Sequence, residues 1–393
     1  MSPFLQSVRE RVQENRASLQ DVTNLIASNC NALGKPVEIS VEITSELAFT
    51  AFAERLRVVE PVLAGGKRGG LYRICISEGL ITRLAYVMEI SAQILDRIQY
   101  RSSNYRAEVI VHPRQEEEIS ALIRAPNFFG LDLWSDLVNL EVEHESIECM
   151  SESIERKFWA FEIGSEPIGL RASIYLDKAL EFLVLHEGGH IARGHLDYRA
   201  STGRGAGLPT EADIDPKMLQ AMEIDADLQA MTNQYAVILR EEFGDNTKSY
   251  TRLLITVYAL IFSLFDLRSR TANSYRGASH PDPDGRLQLA WYYLGAMLEG
   301  ETGRPFRQIF SEAFGATIAP VTRVLRELGI RGGSFQQVLL RQSDDGAARY
   351  WEEYGDWSAK HSVLLQQLWV DRAGTSSGEF GRRYEHYKSS RGE

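Results

Sequence analysis

Apolar and polar positions alternate with a helical period through "SVRERVQENRASLQDVTNLIASNC" near the N-terminus, and "PVEISVEI" then switches to a period of two. The first pattern predicts a helix and the second a strand. "SELAFTAFAERLRVVEPVLAG" reads as a return to helix. After the loop "GGKRGG", "LYRICIS" reads as a strand running into a long helix around "LITRLAYVMEISAQILDRIQY", and "AEVIVHP" as a further strand. From about residue 175 onward almost every segment has helical character. The expected fold class is therefore α+β, mostly α, with a mixed α/β front part ahead of a helical core.

Loops rich in Gly, Pro, Ser and Asp are expected at 201–215, 273–285 and 331–334. They suggest three regions: 1–170, mixed α/β; 171–330, a helical core; and 331–393, helical with a polar, Gly/Ser-rich tail. No repeat is visible. The most apolar run, Leu253 to Phe265, falls short of the roughly 20 residues of a membrane-spanning helix and reads as a buried core helix, so stable membrane insertion is not expected. The acidic stretch 140–155 reads as a solvated helix face.

Composition narrows the functional classes. The formal net charge of −11 gives a nucleic-acid partner no electrostatic support. Cys30, Cys75 and Cys149 are far apart and form no CxxC pair, so they read as reduced thiols rather than a disulfide framework or a zinc ribbon. The charged N-terminus lacks the apolar region of a signal peptide, and a cytoplasmic location is expected.

Candidate chemistry centres on "LVLHEGGHIARGH", Leu183 to His195. If about Leu176 to Gly194 is one helix, His186 and His190 stand one turn apart on one face. Two imidazoles can then share one tetrahedral zinc, with Glu187 beside the ion's open position. Such a centre suits hydrolysis: zinc makes water more acidic and polarises a carbonyl, and a carboxylate moves the proton to the leaving amine. The apolar "LEFLVL" before His186 fits a buried helix, and Gly194 can end it. Gly188 and Gly189 cost about 1 kcal/mol each against Ala, which close approach of another backbone or of substrate would explain.

A catalytic zinc needs a third protein ligand. The metzincin register fails, because Gly194 and His195 follow His190 at four and five residues. On a continuing helix His195 lies about 140° around from His190 and is a poor ligand candidate. A carboxylate from a second helix is the alternative. "DPKMLQAMEIDADLQAMTNQYAVILREEF" is a helix opened by Asp215 and Pro216, with Glu223 and Asp227 on one face among Ala221, Ala226, Leu228 and Ala230. Acidic residues in such company suggest a buried pair with a partner, for which a metal and a metal-bound histidine are candidates; the other reading is an exposed acidic face. His280 and Arg286 flank the start of a later helix, and both can donate to an oxyanion. Alone, that loop would be an ordinary helix cap.

Together, "HEGGHIARGH" (186–195), "EIDAD" (223–227) and "HPDPDGR" (280–286) resemble the HExxHxxxxH, ExxAD and HPxxxxR motifs of gluzincin metalloendopeptidases of the HtpX, Oma and CAAX-prenyl-endopeptidase type. The likeness covers roughly residues 180–290. It implies a zincin-like core with Zn2+ held by His186, His190 and Glu223, Glu187 as general base, Asp227 orienting a ligand, and His280 with Arg286 near the scissile carbonyl. It also implies an upstream strand that pairs with extended substrate, for which "LYRICIS" is the candidate edge. In style the chain is also similar to intracellular single-target proteases of the Lit and ImmA types.

The leading expectation is a zinc-dependent endopeptidase acting on a protein or peptide substrate. The alternatives are a zinc-binding regulatory or interaction module without catalysis, and a metal-dependent hydrolase of some other substrate. His112, His144, His361 and His386 have no ligand partner at useful spacing and read as surface or structural residues.

Overall fold

The computed structural model describes residues 3–32, 37–59, 69–102, 146–157, 166–196, 216–240, 246–270 and scattered positions between 286 and 328. In chain order the elements are α1 (Pro3–Ala32), β1 (Val37–Thr44), β2 (Ala51–Val59), β3 (Gly69–Ser77), α2 (Glu78–Ser102), α3 (Ile147–Lys157), α4 (Glu166–Ala192), α5 (Pro216–Arg240) and α6 (Asn246–Arg270). The fold is α+β and mostly α, with one small sheet near the front. The expected strand at "AEVIVHP", the loops at 201–215, 273–285 and 331–334, and the C-terminal tail lie outside the described residues.

The sheet runs β1-β3-β2, with β1 parallel and β2 antiparallel to β3. Two expectations change here. The segment read as a helix after "PVEISVEI" contains β2, whose helix-favouring Ala, Glu, Leu and Arg are overridden by pairing with β3 from Ala51↔Ile76 to Val59↔Gly69. "LYRICIS" is not an edge but the central strand. Tyr72, Ile74 and Ile76 are buried on one face, and Cys75 is buried on the other.

The two outer strands differ in what covers them. Along β1, Gln20 of α1 imitates a neighbouring strand: its amide nitrogen donates to Ile39 O at 2.9 Å, and Val41 N donates to its Oε1 at 3.3 Å. Val37 N donates to Asn31 Oδ1 at 2.7 Å. An edge satisfied by side chains is a poor template for another chain. Among the described residues β2 carries the opposite edge; it has a bulge between Arg55 and Arg57 and packs against α4.

One hydrophobic cluster runs through the described elements. It takes Leu5, Val8 and Val12 from α1, Ile74 and Ile76 from β3, Leu80 to Leu95 from α2, Met150 and Ile154 from α3, and residues of α4, α5 and α6. It therefore includes residues on both sides of position 170. Every residue of α2 from Gly79 to Leu95 is buried, as expected of a helix enclosed on all sides. In α3, Ile147, Met150 and Ile154 face inward while Cys149 and Glu152 are exposed, so the part of the acidic stretch within α3 has a solvated face; residues 140–145 lie outside the described residues. Cys30 and Cys75 are buried and all three cysteines are free.

α1 is fastened to α4 by charge as well as by apolar contact. Arg11 grips Asp177 with two hydrogen bonds of 3.0 and 2.7 Å, and Asn15 adds a third at 2.6 Å. The apolar run 253–265 lies within α6 and is buried over most of its length, as its composition requires. Among the described residues no helix is long and apolar enough to cross a membrane.

The start of α2 depends on a close backbone approach. Gly79 N donates to Glu46 O at 2.9 Å, and a Cβ at Gly79 would lie 2.2 Å from Leu47 O. The obstacle is backbone, so it cannot swing aside. Gly79→Ala is expected to lower stability by about 1–3 kcal/mol, read as an earlier urea midpoint; an unchanged midpoint would show that the 45–50 segment yields freely.

Candidate metal centre

α4 begins at Glu166, ten residues before the expected start, with Pro167 in its first turn, a position proline tolerates. All side chains from Phe182 to Ile191 are buried, and so are those of α5 from Leu219 to Leu228. The two helices meet at Gly189, where an added Cβ would lie 3.1 Å from Ala226 Cα and 3.3 Å from its carbonyl oxygen. On the neighbouring face, a Cβ at Gly188 would meet Ile26 Cδ1 of α1 at 2.3 Å. Both glycines are thus explained by packing on either side of the helix that carries the motif.

The crossing brings His186, His190 and Glu223 together. Their ligand atoms all lie within 4.8 Å of one another, and this group can hold a metal ion. His186 Nε2 and His190 Nε2 are 3.2 Å apart; Glu223 Oε2 is 3.3 Å from the first, and Oε1 is 3.4 Å from the second. A tetrahedral ion with ligand bonds of about 2.0–2.1 Å requires ligand atoms roughly 3.3–3.4 Å apart. The imidazole nitrogens, and the nearer Glu223 oxygen to each of them, are spaced close to that requirement.

Asp227, one turn beyond Glu223, stands behind His186. Its Oδ1 is 2.9 Å from His186 Nδ1, although the ring N–H points off the line to that oxygen. Arg286 holds the same carboxylate through both oxygens, Nε to Oδ2 at 2.6 Å and Nη2 to Oδ1 at 2.7 Å, and stacks over Phe262 at 5.0 Å. Arg286 is only 5% exposed, and its motif brought it to the same neighbourhood as His186 and Glu223. Its guanidinium is engaged with the Asp227 carboxylate. His280 lies outside the described residues, as do His112, His144, His361 and His386.

The electrostatics are those of a cation site. Burial works against a charge on His186, yet its contacts with Asp227 and Glu223 outweigh burial and push its pKa up to about 10. Burial also opposes ionisation of Asp227, and the Arg286 guanidinium, followed by His186, holds its carboxyl below the ordinary range. Two buried acids facing two imidazoles thus demand positive charge, which either a proton or a metal ion can provide. Glu187 is 8% exposed and near enough to Arg286 to help keep that guanidinium protonated.

Two residues of the site escaped the sequence reasoning. α4 stops at Ala192, and Gly194 adopts φ 73°, a left-handed conformation that costs glycine little. This turn carries His195 back over His190, with ring centroids 5.0 Å apart and Nδ1 to Nδ1 at 3.0 Å. His195 Nε2 is in turn 3.2 Å from Asp225 Oδ2, and neither residue is exposed. His195 is not in the group of three that could hold an ion, as its register suggested, but the angle was reckoned on a helix that does not continue. The signals available were the last histidine of "HEGGHIARGH" and the middle acid of "EIDAD".

Compared with known proteins, the chain matches no family model, no curated protein and no solved structure.

The raised pKa of His186 fixes the sign of a pH effect. In the metal-free protein the bound proton stabilises the fold fully below the ordinary imidazole value of about 6.5, and this contribution is lost as pH rises towards 10. Chelator-treated protein is therefore expected to unfold at lower urea at pH 9 than at about pH 6.5, and metal uptake at neutral pH to release about one proton, measured by calorimetry in buffers of different ionisation enthalpy. Metal binding without proton release would contradict a protonated His186.

Proposed function

We propose that this protein is a zinc-dependent endopeptidase, a gluzincin in its motif order, that hydrolyses a peptide bond of a protein substrate. The observation that carries the reading is the buried His186, His190 and Glu223 donor set at tetrahedral spacing, with a carboxylate, Glu187, next to the first ligand in the sequence. Two imidazoles and one carboxylate are a donor set suited to zinc that leaves a fourth position open. When bound, zinc polarises the scissile carbonyl and makes water more acidic.

The chain's own residues supply the rest. Glu187 takes the proton of the attacking water and passes it to the leaving nitrogen, a role a purely structural centre would not need. Asp227, fixed by Arg286, holds His186 in orientation. β2, an outer strand of the sheet that packs against α4, is the edge on which an extended substrate segment can add main-chain hydrogen bonds; it takes the part that the sequence assigned to β3. The three free cysteines fit a cytoplasmic setting.

One observation favours the alternative of a non-catalytic zinc module: His186, His190 and Glu223 are each at most 6% exposed. The two readings part at Glu187. Glu187→Gln is expected to keep stoichiometric zinc and the wild-type urea midpoint while lowering peptide cleavage about 10²–10⁴-fold, measured on a peptide library with chelator controls. Undiminished cleavage by the variant would remove Glu187 from the mechanism. Zinc binding by the wild type with no chelator-sensitive cleavage of any peptide would favour the regulatory module.

A further inference from the structure

We infer that His195 and Asp225 form a positioning relay that sets the tautomer of His190 and aims its Nε2 at the metal ion. The inference rests on the metal-binding part of the reading above and not on catalysis.

Its starting point is the chain of contacts His190 Nδ1 to His195 Nδ1 at 3.0 Å and His195 Nε2 to Asp225 Oδ2 at 3.2 Å, with all three residues buried. A carboxylate only accepts, so the hydrogen in the second contact sits on His195 Nε2. The relay takes His195 as neutral, with that one hydrogen, which leaves its Nδ1 a bare acceptor. The hydrogen in the first contact therefore belongs to His190 Nδ1. The Nε2 of His190 is left with its lone pair directed at Glu223 and His186, the position of a ligand. One carboxylate thus determines, through an intervening ring, which nitrogen of a metal ligand is free.

The chain's geometry is built for this. Gly194, at φ 73°, turns His195 back onto His190. Asp225 lies between Glu223 and Asp227 on the same helix and points to His195; Arg193 Nε stands 3.7 Å from its Oδ1 and supplies the opposing charge. Arg193 is itself held by Gln229 Oε1 at 2.8 Å. His186 has its carboxylate directly, in Asp227, whereas His190 has its carboxylate one ring further away. The relay extends the ligand-orienting shell to both histidines, and outer partners of this kind affect metal affinity substantially.

The test uses the full-length chain, with zinc affinity read by chelator competition and coordination read from the visible spectrum of the cobalt-substituted protein. His195→Leu removes the acceptor and is expected to weaken zinc binding about 10–100-fold and to alter the cobalt spectrum. His195→Asn, whose amide oxygen can take the place of Nδ1, is expected to recover most of the loss. Asp225→Asn keeps shape but can donate as well as accept, so it should give an intermediate loss. If the leucine variant does not fold, the asparagine variants and the tautomers in the zinc-loaded wild type, read by long-range 1H–15N spectra, decide the matter. Hydrogens on His190 Nδ1 and His195 Nε2 are expected. A hydrogen on His195 Nδ1, or wild-type affinity and spectrum in His195→Leu, would overturn the relay while leaving the metal centre intact. Failure of the wild type to bind zinc would instead overturn the metal reading, and the relay with it.

Discussion

The close crossing of α4 and α5 at Gly189 and Ala226 is the constraint on which the centre depends. A side chain at Gly189, or one larger than the methyl of Ala226, would push the two axes apart, and the carboxylate of Glu223 would withdraw from the imidazoles opposite. Glycine is a poor residue for the middle of a helix, and two in succession are worse. Here their cost is offset by what their absence of side chain allows, backbone contact with α5 on one side and the tip of Ile26 from α1 on the other. The same crossing places Asp225 and Asp227, two residues apart, so that each serves a different histidine.

Burial gives these contacts their strength. Glu223, Asp225 and Asp227 are each at most 5% exposed, and bare carboxylates in such surroundings would be expensive. Each is met by opposite charge or a donor: Arg286 on Asp227, Arg193 towards Asp225, and the imidazoles at Glu223. The pattern is a compact network of alternating sign, in which the metal ion would replace the proton otherwise held on His186. A network of this type is unforgiving of partial disassembly, because each group removed leaves a buried partner uncompensated.

Much of this was legible in the chain. Helical period and alternation located α1, β1, β3, α2 and the apolar part of α6, and three short motifs brought together His186, His190, Glu223, Asp227 and Arg286 from three separate segments. What the residues could not disclose was set by partners distant in sequence. Ala51 to Val59 has helix-favouring composition and becomes a strand only because β3 is there to pair with it. β3 itself was read as an edge, since its neighbours on both sides are known only once the sheet is assembled. His195 was dismissed by an angle valid for an unbroken helix, and a single left-handed residue at Gly194 changed its direction. Arg286 was placed near the scissile carbonyl from its capacity to donate to an oxyanion and from the HPxxxxR resemblance, while the acid it grips, Asp227, lay 59 residues away.

The attachment of α1 bears on how such a centre could be governed. Arg11 and Asn15 clasp Asp177 on the helix that bears both imidazoles, and Ile26 fills the space beside Gly188, one residue from Glu187. An N-terminal helix seated in this manner is a structural wall of the centre, not a detachable cover. Removing α1 would take from the helix of the two imidazoles both the clasp on Asp177 and the packing beside Gly188.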